Sequence, residues 1–194
     1  INLYGASKLC SDKLFTGAQS YAGSQKTIFS VARYGNVMNS RGSVIPLFMS
    51  QKNSKFLTIT DKRMTRFNIT LNEAVEMVLW TLKNSLGGEI IVPKIPSYRI
   101  LDLAQAISPK SKLKYTGIRP GEKIHEELIT SSESAQTLDL GKYYAILPTI
   151  REISIEKYAR IKKGKKLKED FTYNSGTNKK FLTVAELKKL ITKM

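Results

Sequence analysis

The chain has one cysteine, Cys10, and one histidine, His125, among its 194 residues. A lone thiol makes no internal disulfide, so the fold must rest on packing and suits a reducing compartment. A lone imidazole excludes a histidine-rich metal site, and no metal is expected. No apolar run approaches the length of a membrane span, and the first residues lack the basic-then-apolar order of a signal peptide. The expectation is a cytoplasmic protein without a membrane partner. Acidic residues are scarce, 16 against 32 Lys and Arg, which leaves a net charge of +16. Such a balance attracts polyanions, from nucleic acid to phosphorylated metabolites. The lysines are scattered, densest over 157–168 and 179–193, and that distribution equally fits a solvated basic surface. No nucleic-acid motif accompanies them, so no nucleic-acid partner is expected. The 41% hydrophobic content suffices for one good-sized core or two small ones.

What is present begins at Tyr4-Gly5-Ala6-Ser7-Lys8. Leu3, Ala6, Leu9, Cys10, Leu14, Ala18 and Tyr21 recur at helical spacing, with Gly23 as a stop. Cys10 falls on the apolar side and is expected in the core. Tyr4 and Lys8, one turn apart, share a face. An ammonium beside a phenol favours the phenolate, the form that takes a proton from a substrate hydroxyl. A solvated lysine with a tyrosine packed at the helix start fits the same spacing.

Thr27 to Arg33 reads as a buried strand, and helix followed by strand predicts a parallel sheet. The strand leads into a loop over 34–43, at the strand end where open α/β sheets bind ligands. Ser43 is placed to cap a short helix with Pro46 in its first turn. A strand is predicted at Phe56 to Thr60. Arg63 and Arg66 are spaced to fork onto phosphate oxygens, unless one pairs with Asp61. Thr70 and Glu73 form a capping box opening a helix to about Asn84. Gly87-Gly88 ends it, and Glu89 to Pro93 is a second buried strand. Further on, Ser97 is expected to head a helix to about Ile107, with a strand over Lys112 to Thr116. Pro120 and Gly121 stiffen a loop presenting Arg119, whose planar fork suits a diphosphate. A strand follows at Tyr143 to Pro148, then a charged helix or linker around Gly164 and a polar loop over 173–178. A second capping box, Thr183 with Glu186, starts a helix to about Lys193.

Taken in order, the Tyr4 to Lys8 block, Arg33-Tyr34-Gly35-Asn36-Val37, Ser40 to Pro46, Arg63 to Phe67 and Arg119-Pro120-Gly121-Glu122-Lys123-Ile124-His125-Glu126 resemble the extended short-chain dehydrogenase/reductase family. Within it they look like the inverting UDP-N-acetylglucosamine 4,6-dehydratases of pseudaminic acid synthesis and their capsular-polysaccharide relatives. The resemblance implies an α/β fold: the C-terminal part of a Rossmann-type parallel sheet plus a smaller α/β substrate-binding domain, with the N-terminal dinucleotide-binding half missing. It places 1–42 and 65–93 in the NADP-binding remnant, and 43–64 and 94–194 in the sugar-nucleotide domain.

By the same resemblance the cofactor is NADP and the partner a UDP-sugar, with a homo-oligomer at full length. Tyr4 handles the C4 hydroxyl proton, while Lys8 eases its ionisation and holds the nicotinamide ribose. Val37, Met38, Asn39, Ser40 and Arg41 lie along the cofactor, and Asn36, Val44, Thr60 and Arg119 meet the substrate. His125 is read as structural. No glycine-rich phosphate turn occurs in the chain, and the acid–base pair of the elimination is expected ahead of Ile1. Residues 1–194 alone are therefore expected to bind cofactor weakly and not to turn over. The same blocks leave a nucleotide-sugar epimerase or reductase open, and a basic nucleic-acid-binding domain stands as the alternative of another class.

Overall fold

The computed structural model describes residues 2–23, 26–149 and 153–193. In chain order its elements are α1 (Leu3–Tyr21), β1 (Val31–Ala32), α2 (Val44–Ser50), β2 (Phe56–Ile59), β3 (Thr65–Phe67), α3 (Leu71–Asn84), β4 (Ile90–Pro93), β5 (Ser97–Arg99), α4 (Ile100–Ile107), β6 (Lys112–Tyr115), β7 (Glu127–Ile129), a 3-10 turn at Ser131–Gln136, β8 (Thr137–Asp139), β9 (Tyr143–Ile146), α5 (Ile155–Lys162), β10 (Lys165–Lys166), β11 (Tyr173–Asn174) and α6 (Val184–Thr192). This α/β chain divides into two compact units. Unit 1 takes the described residues up to Tyr34 with Asn72–Lys94 and Glu127–Tyr173; unit 2 takes Gly35–Leu71, Ile95–Glu126 and the residues from Asn174 onward. The expected domain limits do not coincide with these units: 35–42 and 65–71 cluster in unit 2, and 127–173 in unit 1.

Unit 1 is built on a mixed five-stranded sheet in the order β1-β4-β9-β8-β10. β1 runs parallel to β4, with Val31 opposite Ile90. The β4–β9, β8–β9 and β10–β8 pairs are antiparallel. All four residues of β4 are buried, as the unbroken apolar run requires. Ile91 packs with Met77, Leu138, Tyr143, Ala145, Leu147, Ile155 and Tyr158. The buried strand expected from Thr27 to Arg33 shortens to Val31–Ala32, the two residues that pair with β4, and is only half-buried. α1 has Asn2 as its cap, accepting from Gly5 N at 2.7 Å. None of its residues is buried, and Cys10 is exposed, not in the core. The apolar face expected from periodicity is left exposed at Leu3, Leu9, Cys10, Leu14 and Tyr21, and the partly covered side of the helix is the one carrying Asp12, Thr16 and Gln19. The basic stretch after it is α5, ended by Lys163 in the left-handed region (φ 54°), and then β10.

Unit 2 pairs β2 with β6 in parallel and β3 with β5 antiparallel. α2, α4 and α6 supply the apolar faces of its core, with Phe48, Leu57, Ile59, Leu103 and Leu187 almost wholly buried. Each such side chain stabilises the fold by about 2 kcal/mol. Both halves of the capping box at Thr183 and Glu186 are present. Ser97, expected at a helix start, instead opposes Phe67 in the β3–β5 ladder, and α4 begins after Arg99. A distant strand partner has overridden the local capping preference of serine. Among the described residues no helix is long and apolar enough to cross a membrane.

Candidate functional site

Unit 2 contains an open cavity of about 370 Å³, lined by residues 36–45 together with Arg66, Asn68, Tyr98 and Glu122. Small-molecule sites commonly have this size. The loop is held at its start. Val37 bridges Ile69 in parallel, and Met38 N donates to Ile69 O at 2.8 Å. Within it, Ser40 N donates to Val37 O at 3.1 Å and Ser43 N to Ser40 O at 3.0 Å. Asn39 and Gly42 take positive φ, 62° and 76°, so the loop doubles back and then leads into α2, anchored by buried Ile45 and Phe48. Gly35 at its head is required for close approach: a Cβ there would lie 2.7 Å from Phe67 Cβ.

The opposite wall comes from the β3–β5 ladder. Arg66 faces Tyr98 in register, and Asn68 lies two residues beyond Arg66, so all three project to one face. Asn36 Nδ2 donates to Glu126 Oε1 at 2.6 Å, and Phe67 N donates to Glu126 Oε2 at 2.8 Å. These bonds orient the Asn36 amide and leave its oxygen and second N–H for another group. Burial pushes Glu126 above the ordinary carboxylate range, although Phe67 N, Arg66 and Asn36 pull the other way. Tyr98 is raised too, first by burial and then by the charge of Glu126.

The two guanidiniums expected to share a phosphate are both committed elsewhere. Arg63 holds Asp61 through Nε and Nη2, at 3.0 and 2.8 Å, and keeps its carboxyl down to about 2. Arg66 donates to the carbonyls of Thr65, Ile124 and Lys123 at 2.7, 3.0 and 3.0 Å. Those carbonyls lie too far along the sequence for spacing to reveal them. Ser43 occupies the capping position of α2 but makes no capping bond with its side chain.

Of the expected site residues, Asn36, Val37, Met38, Asn39, Ser40, Arg41 and Val44 line the cavity, whereas Thr60 and Arg119 do not. Thr60 follows β2. Arg119 is exposed, its backbone N–H bonded to Glu122 Oε2 at 3.2 Å, and its guanidinium has no hydrogen bond or ion pair among the described residues. His125 Nδ1 lies 2.8 Å from Thr65 Oγ1, which contacts Ser175 Oγ at 2.7 Å. Ser175 Oγ in turn accepts from Glu126 N at 2.8 Å. The imidazole thus ties the Arg119 loop to β3.

Tyr4 and Lys8 belong to unit 1. They stand together on α1, Lys8 Nζ 5.3 Å from the Tyr4 ring centroid, and Tyr4 is 72% exposed. α1 is held by a residue the sequence reading passed over. Arg33 Nη2 pairs with Asp12 Oδ2 at 2.8 Å and with Glu133 Oε1 at 3.0 Å, and Nη1 donates to Leu128 O at 2.9 Å. Burial alone would raise Glu133, but its bonds to Arg33 override this and hold it below the ordinary carboxylate range. The available signal was a basic residue ending an apolar strand.

The polysaccharide biosynthesis protein family matches residues 1–148. The chain is 47% identical, over 98% of its length, to a UDP-N-acetylglucosamine 4,6-dehydratase (inverting) of Campylobacter jejuni subsp. jejuni serotype O:23/36 (strain 81-176), of which it covers 59%. It is 42% identical over 98% of its length to a UDP-glucose 4-epimerase of Rickettsia bellii (strain OSU 85-389), covering 57% of that protein. Among solved structures, that of Pen from Bacillus thuringiensis aligns with a TM-score of 0.82 at 36% identity, over 99% of this chain and 58% of the other. TunA, an NAD-dependent NDP-hexosamine 5,6-dehydratase, shares the fold at a TM-score of 0.52 and 19% identity, over 82% of this chain and 52% of that one. The chain thus spans somewhat under three fifths of these relatives.

Proposed function

The chain belongs to the polysaccharide biosynthesis protein family, and from that premise we propose that it forms part of an NADP-dependent UDP-N-acetylglucosamine 4,6-dehydratase of the inverting kind, a hydro-lyase serving surface-glycan synthesis in the cytoplasm. The observation that carries this reading is the cavity of unit 2, whose wall contains, within one continuous run, five of the residues assigned to the cofactor, Val37 to Arg41, and two of those assigned to the sugar nucleotide, Asn36 and Val44; Tyr4 and Lys8, also assigned to the cofactor, lie in unit 1. In this reading the cavity of unit 2 grips the sugar nucleotide, and Tyr4 and Lys8, on α1 of unit 1, are the proton-handling pair.

Asn36, oriented by Glu126, offers the substrate an acceptor and a donor. Arg119, whose guanidinium is uncommitted, takes the diphosphate. The exposed phenol of Tyr4 moves the C4 hydroxyl proton, with the Lys8 ammonium 5.3 Å from its ring centroid. The polar loop over 37–41 fits the nicotinamide end of the cofactor. No residue of the chain matches a glycine-rich phosphate turn, so residues 1–194 by themselves are expected to bind NADP weakly and not to turn over. When bound, the dinucleotide accepts and returns a hydride.

The test is product analysis by NMR after supplying UDP-N-acetylglucosamine and NADP to the protein at its full natural length. A 4-keto-6-deoxy sugar with inverted C5 supports the reading. A simple C4 epimer would overturn it in favour of the second reading, a nucleotide-sugar 4-epimerase, which the 42% identity to a protein of that name favours. A homo-oligomer at full length belongs to the same proposal, and its mass in solution checks it.

A further inference from the structure

The polar groups of the cavity divide into those that are occupied and those that are not. Arg66 spends its donors on three backbone carbonyls. Asn68 is only 3% exposed and Tyr98 only 4%, yet among the described residues neither the Asn68 amide nor the Tyr98 hydroxyl makes a hydrogen bond. The Asn68 backbone N–H is satisfied by Pro96 O at 2.8 Å, so the orphaned group is the side chain alone. Ser43 Oγ, in the same wall, is buried without a partner. Buried polar groups are nearly always paired; Ser43 Oγ is wholly buried without a partner, and the Asn68 amide and Tyr98 hydroxyl, on otherwise buried residues, line the same cavity uncommitted, which marks a surface that a polar ligand completes.

Building on the sugar-nucleotide reading above, we propose that Asn68 and Tyr98, with Ser43, form an uncharged floor that reads the hydroxyl and acetamido groups of the pyranose ring and so sets sugar specificity. Each of these groups both donates and accepts, as sugar hydroxyls do. Burial keeps the Tyr98 phenol protonated, so it remains a donor. A phosphate would find no free cation on this floor and would meet the nearby carboxylates of Glu122 and Glu126. Arg41, exposed in the same wall and uncommitted among the described residues, is the better place for an anionic group. The floor was hidden from the sequence reading because Ser43, Asn68 and Tyr98 come from a loop, the position after β3 and the middle of β5 and form no motif. The clue available was Arg66 and Asn68 two residues apart, on one face of a strand.

The test uses the protein at its full natural length and titrates UDP, UDP-glucose and UDP-N-acetylglucosamine by calorimetry, in wild type, Asn68→Leu and Tyr98→Phe. Tyr98→Phe keeps the ring that packs in the core and removes only the hydroxyl. The expected result is an unchanged affinity for UDP in both variants, with the gain that the sugar adds over UDP cut about tenfold in each. An unchanged sugar gain in both variants overturns the inference alone. Equal losses for UDP and the UDP-sugars also overturn it, by making the floor a nucleotide site. A wild type that binds none of the three ligands overturns the functional reading and the inference with it.

Discussion

The two units satisfy opposite kinds of surface. In unit 1 the buried charges are closed off. Arg33 neutralises Asp12 and Glu133, and Glu89, wholly buried, accepts from Leu86 N, Gly87 N and the Tyr158 hydroxyl at 2.6, 2.7 and 3.0 Å. Its apolar helical faces are bare: Leu9, Leu14 and Phe15 on α1 and Val75, Leu79 and Leu82 on α3 are 49% to 75% exposed. Unit 2 also exposes apolar side chains, Leu47, Phe56, Leu71 and Tyr115 among them, but it alone places an uncommitted amide and phenol, those of Asn68 and Tyr98, around a cavity. Saturated charge holds strands and helices in place, whereas an unsaturated amide and phenol have binding capacity left over.

The sharpest way to break this division is at its exception, the exposed phenol of unit 1. In the protein at its full natural length, Tyr4→Phe is expected to lower the proposed dehydratase turnover about 10²- to 10⁴-fold with little change in melting temperature, as steady-state assays and thermal unfolding would show. A loss below threefold would return Tyr4 to the scaffold. Arg33→Met strands two largely buried carboxylates and is expected to cost unit 1 about 3 kcal/mol, measured by urea denaturation. A cost near zero would mean that the charges are not the closure they appear in the structure. Gly35→Ala sharpens the comparison from the other side. Its new methyl meets Phe67 Cβ, so unit 2 should lose about 2 kcal/mol and its loop should shift, detectable as weaker UDP-sugar binding.

The smallest effect is the dependence on pH. Glu133, lowered in the fold, contributes stability that is present above its unfolded pKa and lost as pH falls through the lower folded value. Glu126, raised in the fold, has the opposite sign: its contribution is full below the unfolded pKa and is lost as pH rises through the higher folded value. Between about pH 3 and 6, spanning the ordinary glutamate range, hydrogen exchange should therefore show opposed contributions in the two units. Glu126→Gln should flatten the one from unit 2. Parallel trends would argue against the assigned environments.

Sequence reading was strongest where the signal is local. The capping box at Thr183, the apolar run of β4 and the glycine-bracketed loop over 35–42 all needed only neighbours. It failed where the deciding partner is distant. Amphipathicity told which side of α1 is apolar but not whether anything covers it, so Cys10 was misplaced. Serine at 97 has a helix-capping preference that loses to pairing with Phe67. Arg66 was offered to a phosphate because the carbonyls of Lys123 and Ile124 that hold it lie more than fifty positions away. Asn68 and Tyr98 are conspicuous only as buried groups without partners, a property that exists once the β3–β5 ladder and the loop have closed around them.

The most direct test of the central claim is to map backbone amide shifts as UDP-N-acetylglucosamine is titrated into the full-length protein. The account predicts that the largest changes fall in unit 2, on residues 36–45 and around Asn68 and Tyr98, while the five-stranded sheet of unit 1 stays still. Shifts concentrated on the sheet of unit 1, with the cavity loop unmoved, would contradict it.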